Sequence, residues 1–253
     1  MRFLTRVLAA LRIPSATMPT SSIVGHHFEP TTATTVESLL RAGDIYGAHH
    51  LARYLWAVDV LSGLPNARSI LDIACGSAYG SRLIASTFPA ASVTGVDTDA
   101  TAIASANEVV HPDNLTLRVA DGMRWIDTIG TSEFDVIVSF DTLEHVKHRE
   151  LFLQGCVDHL APQGSLLLST PCSSWEPSLS PGWDAHAIEY SAPALFDFLS
   201  RYFRTLLRPE NGTLPSSNLF QRYNEIGLNY VLWMNPVIAR DPIVIPKPFR
   251  PPG

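Results

Sequence analysis

The sequence predicts an α/β fold, a parallel sheet with helices on both faces. Two observations carry this. From Ile70 onward, short apolar and β-branched runs alternate with stretches of helical periodicity. Acids also recur in the same place, with Asp72 inside the first run and Asp97 and Asp121 ending the next two. Ligands bind at the C-terminal ends of strands in such sheets.

Residues 1–28 carry Arg2, Arg6 and Arg12 and no acid. They read as a transit peptide, an amphipathic surface helix or a loosely held extension. Ser/Thr/Pro-rich sequence then runs to Thr35, so 1–35 is an N-terminal extension whose adjacent His26 and His27 are solvated. Over 36–62, Leu39, Leu40, Ile45, Leu51, Tyr54, Leu55, Val58 and Leu61 keep helical spacing, in one helix or two, ended at Gly63–Asn66.

Strands are expected at 69–74, 92–97, 115–120, 134–140 and 165–170, with helices at 81–88, 99–109, 122–128 and 147–160. Residues 171–190 break the rhythm with Pro171, Pro177, Pro181, Trp175 and Trp183, and read as a long lid over the acceptor side of a cleft. A helix at 191–203 and strands at 204–207 and 230–236 follow. The five prolines after Asp241 make 241–253 an extended tail, leaving one domain over 36–240.

The net charge of −6 speaks against a nucleic-acid binder held by general charge. Only Lys147 and Lys247 among the 18 basic residues are lysine. Cys75, Cys156 and Cys172 are widely spaced without metal spacing, which suggests a reducing, cytoplasmic setting; a transit peptide would instead direct the chain to the mitochondrial matrix. No apolar run reaches the roughly 18 residues of a membrane span.

Ser69 to Ser81 is the organising stretch. A strand stops at a turn carrying Gly76 and Gly80, and a helix begins. Glycine allows positive φ and close backbone approach, and the helix N-terminus favours an anionic group. The dinucleotide fingerprint G-x-G-x-x-G is not met, since Ala74 stands at the first glycine position. Asp97 could accept from a ribose diol, and Asp121–Gly122–Met123 could meet an adenine; each acid alone also reads as a helix cap.

Asp72, Ala74, Gly76 and Gly80, with Asp97 and Asp121, resemble motifs I to III of class I S-adenosylmethionine methyltransferases. The resemblance covers roughly residues 45–235. It implies a Rossmann-like, seven-stranded, mostly parallel sheet with its seventh strand antiparallel. It also implies S-adenosylmethionine bound near Asp72, Ala74, Gly76, Tyr79, Gly80, Asp97, Asp121, Gly122, Met123 and Phe140. His50-x-x-Arg53-Tyr54 looks like the HxxRY helix of a subset associated with sugars and glycans, which adds Arg53.

Asp141, Glu144 and His145 stand at i, i+3 and i+4 after the fourth strand and would share one face of a helical turn. Two carboxylates and an imidazole suit Mg²⁺ or Mn²⁺. The set resembles the Glu-x-x-Glu-His metal site of quinone-precursor and small-RNA methyltransferases, with His186 as the further ligand. The alternative is that the acids cap the next helix and His145 packs on the cofactor. Either way His145, with Glu144, is the candidate catalytic group. The resemblance implies an O-methyltransferase for a small hydroxylated acceptor, a sugar or glycan first. The rivals are a quinone or phenol, an RNA 2′-hydroxyl, or a non-catalytic cofactor-binding protein. A homodimer is a further expectation.

Overall fold

The computed structural model describes residues 34–109, 111–120, 128–129, 133–173, 186–207 and 237–243. Two helices, α1 (Val36–Arg41) and α2 (Ile45–Ser62), come first. Gly43 separates them at φ 78°, and Asp44 caps α2 by accepting from Gly47 N at 2.8 Å. The expected helix pair is therefore present.

Then follow β1 (Ser69–Ile73), α3 (Tyr79–Thr87), β2 (Ser92–Asp97), α4 (Ala100–Glu108), β3 (Leu115–Val119) and β4 (Phe134–Phe140). After a 3₁₀ turn at Leu143–His145 come α5 (Arg149–His159), β5 (Leu160–Ser169), β6 (Cys172–Ser173), β7 (Tyr190–Ser191), α6 (Ala192–Leu199), β8 (Phe203–Leu207) and β9 (Val237–Pro242). The seven-stranded sheet runs β3-β2-β1-β4-β5-β9-β8, with β9 antiparallel to both neighbours and the other pairs parallel. This is the Rossmann-like, mostly parallel architecture expected.

Strand side chains alternate between two cores. On one face Ile70, Val93, Val136, Val138, Leu167 and Ile238 pack against α2, α3 and α4. On the other, Leu71, Ile73, Ile137, Leu166, Leu168 and Val237 pack against α5 and α6. Asp72 falls between Leu71 and Ile73 in this alternation, on the α2–α3 face.

Two expectations are corrected. The antiparallel strand lies at Val237–Pro242, not 230–236, which is outside the described residues. It also takes in Asp241 and Pro242, read from sequence as tail. Pro242 pairs with Phe203 as the last residue of β9, where its missing N–H costs the ladder little. The fifth strand starts at Leu160 rather than Ser165. The N-terminal 33 residues, most of the expected 122–128 helix, and residues 174–185 of the expected lid with both tryptophans lie outside the described residues. The described residues on either side of that segment are joined by the parallel β6–β7 pair.

Candidate active site

The turn after β1 is built on left-handed backbone. Ala74, Gly76 and Ala78 have φ of 61°, 57° and 60°. For alanine this region costs about 1–2 kcal/mol, a local strain common where backbone must face a ligand. Gly76 donates its N–H to Asp97 Oδ2 at 2.7 Å, and Asp99 N–H donates to Oδ1 at 2.9 Å. Asp97 thus ties the glycine turn to the end of β2.

Gly80 serves the scaffold here, because a Cβ on it would overlap the Tyr54 ring. The Tyr54 hydroxyl donates to Asp72 at 3.1 and 3.2 Å, and Ser81 Oγ donates at 2.6 Å. Asp72 is fully buried, and burial pushes its pKa up to about 7 against the pull of these hydroxyls. Tyr79 and Phe140, expected at the cofactor, pack edge-on to Tyr54 at 5.1 and 5.2 Å between ring centroids.

A cleft of about 470 Å³ opens at the C-terminal ends of β1 to β4. Ala74, Val96, Asp97, Thr98 and Ala120 line one half; Asp141, Thr142, His145, Val146, Lys147 and His148 line the other. It straddles β1 and β4, where the strand order reverses, as open α/β sheets place their ligands. Of the expected site residues, Ala74, Asp97, Asp141 and His145 line it; Asp121, Gly122 and Met123 lie outside the described residues.

Beyond Phe140 the chain turns sharply, with Asp141 at φ 51°. Its carboxylate is engaged by Arg53, which is 1 % exposed and also meets His50 Nδ1 at 3.1 Å. His50 Nε2 stands 3.8 Å from the same carboxylate.

The expected four-ligand set is therefore assembled only in part. Glu144, His145 and His186 present ligand atoms within 4.8 Å of one another, and Asp141 is outside that trio. The reason is local: the 3₁₀ turn starts after Asp141, so the single helical face expected from spacing does not form. Glu144 is buried, accepts from Thr170 Oγ1 at 2.8 Å, and has its pKa pushed up to about 8 by burial and then by Asp141. Its carbonyl accepts from Ala187 N at 2.6 Å, bringing His186 against the turn. The His145 and His186 rings meet edge-on at 4.9 Å, and His186 Nδ1 lies 2.7 Å from Glu189 Oε1.

Residues 70–164 match the family described as methyltransferase domain. A trans-aconitate 2-methyltransferase of Delftia acidovorans is 29 % identical over 117 residues, 46 % of this chain and 43 % of that protein. A ubiquinone biosynthesis O-methyltransferase of Glaesserella parasuis is 30 % identical over 135 residues, 51 % of this chain and 56 % of that protein. The chain thus spans about half the length of the curated relatives it matches. Among solved structures, an O-methyltransferase from a Brevibacillus brevis polyketide synthase, in complex with S-adenosylhomocysteine, shares the fold. Its TM-score is 0.54 at 11 % identity, over 82 % of this chain and 79 % of that one. The matched region, residues 70–164, thus resembles a methyltransferase domain, and the solved neighbour shares the fold.

Sequence reasoning did not pick out Thr98, Thr142, Lys147 or His148 in the cleft. It also passed over Ser81 at Asp72, Thr170 at Glu144 and Glu189 at His186. Glu189 carried a usable signal, three residues after His186.

Proposed function

We propose that the chain transfers a methyl group from S-adenosylmethionine to an oxygen of a small acceptor, with His145 receiving the proton. The carrying observation is that one cleft is lined by Asp97 on one side and by His145, exposed enough at 40 % to meet a ligand, on the other. The cofactor fits the donor set, since Asp97 ends β2 where a ribose diol needs an acceptor and the strained turn at Ala74 opens onto the same cleft.

When bound, S-adenosylmethionine supplies an electrophilic methyl on a sulfonium, whose transfer to oxygen leaves a neutral thioether. The chain's residues bind, orient and move the proton. Asp97 anchors the ribose while Asp72, Tyr54 and Ser81 hold the glycine turn in place. His145 accepts the hydroxyl proton as oxygen becomes the nucleophile. A sugar or glycan is the first acceptor to test and a quinone or phenol the second.

The test is calorimetry with S-adenosylhomocysteine. Binding is expected with no response to NAD, and Asp97→Ala should weaken it by about 1–3 kcal/mol, as when a buried polar partner is removed. Tight NAD binding without S-adenosylhomocysteine binding sinks the reading.

The Glu144, His145 and His186 trio supports the alternative to a metal-free His145 base, in which His145 is instead a ligand to a divalent cation, Mg²⁺ or Mn²⁺, that activates the hydroxyl. One carboxylate and two imidazoles suit Mn²⁺ better than the oxygen-preferring Mg²⁺, and the ion when bound would act as a Lewis acid. Glu189 would fix the His186 tautomer by accepting from Nδ1–H. Glu144 must lose its proton to be a ligand, so Mn²⁺ binding should strengthen as pH rises toward about 8. Glu144→Gln should abolish that binding. Full turnover in EDTA would leave His145 as a metal-free base.

A further inference from the structure

We infer that the acceptor is an anion, whose carboxylate or phosphate is read by Lys147 and His148 at the cleft; this rests on the methyl-transfer reading above. The two halves of the cleft differ in chemistry. The half with Ala74, Val96, Asp97 and Ala120 suits the cofactor, and the half after β4 holds His145, Lys147 and His148 within four residues.

Two acids also reach this cleft, but both are engaged. Asp97 takes the N–H groups of Gly76 and Asp99, and Asp141 takes Arg53. Lys147 and His148 are exposed, and no described carboxylate pairs with either. A cation facing the cleft therefore has no described partner from the protein itself.

The chain as a whole is acidic at −6, so its general field repels anions. Lys147 nevertheless puts a positive charge with no described carboxylate partner at the cleft, where the acceptor must enter. An uncharged hydroxyl gains little from a solvated ammonium, whereas a carboxylate or phosphate gains a charge-assisted hydrogen bond. Lysine, a compact charge on a flexible stem, can follow an anion into the cleft. An acidic or phosphorylated sugar satisfies both this charge and the hydroxyl that His145 serves.

The experiment titrates citrate, inorganic phosphate and glucose into the full chain saturated with S-adenosylhomocysteine, read by calorimetry. Saturable binding is expected for at least one anion and not for glucose, and which anion binds separates carboxylate from phosphate. Lys147→Gln should weaken that binding about three- to tenfold, Lys147→Arg should retain it, and S-adenosylhomocysteine affinity should not move. Cofactor binding without saturable anion binding overturns this inference alone. Anion binding unchanged in both Lys147→Gln and His148→Gln overturns it too. Failure of S-adenosylhomocysteine to bind overturns the methyl-transfer reading and this inference with it.

Discussion

Asp72 shows how one residue links the turn to the core. It lies in a parallel strand facing α2 and α3, with Tyr54 and Ser81 as its hydroxyl donors. Its pKa is raised in the fold to about 7 from an ordinary 3.8. The native state therefore keeps a proton that the unfolded chain has lost. Its contribution to stability is fully present below about pH 4, falls as pH rises toward about 7, and is flat above. Asparagine cannot ionise, so Asp72→Asn should gain on the wild type in melting temperature between about pH 4 and about pH 7. A difference that stays constant across that window would refute the assignment. Sequence marked Asp72 as an acid needing a partner, and the strand alternation located it. Its partners were harder to see: Ser81 sits just past Gly80, while Tyr54 comes from a helix 18 residues upstream.

Helix α2 is the element that organises the site from outside the sheet. Tyr54 fills the space that Gly80 leaves open, and one residue before it Arg53 reaches Asp141 after β4. The HxxRY pattern is thus a clamp joining the first and fourth strand ends, which places its work on the scaffold. Arg53→Ala should cost about 2–4 kcal/mol in denaturant unfolding, because it strands a largely buried carboxylate. Adding Asp141→Asn should recover part of that loss, since the double variant leaves no unpaired charge. Strict additivity of the two changes would contradict the clamp. The helix itself was legible from its periodicity. The Arg53–Asp141 pair was not, because it spans 88 residues and depends on the positive φ of Asp141, which spacing rules do not encode. That left-handed residue is also why the i, i+3, i+4 pattern failed to gather its fourth ligand.

For the whole molecule, the alternation of strands and helices was readable because each unit repeats one local pattern. The ninth strand was misplaced for a physical reason. Asp241 and Pro242 look like the start of a turn, yet Asp241 takes φ 57° and accepts from Thr205 Oγ1 at 2.5 Å, which lets the pairing with β8 continue to Phe203. That strand, inserted antiparallel between β5 and β8, completes the sheet whose other strand ends open the cleft. The central claim is that this cleft holds S-adenosylmethionine with its methyl toward His145. The most direct test is a crystal structure of the full chain with S-adenosylhomocysteine. The ribose diol should meet Asp97, the glycine turn should contact the amino-acid end, and the sulfur should face His145. A ligand seated away from Asp97, or a sulfur turned from His145, would contradict the account.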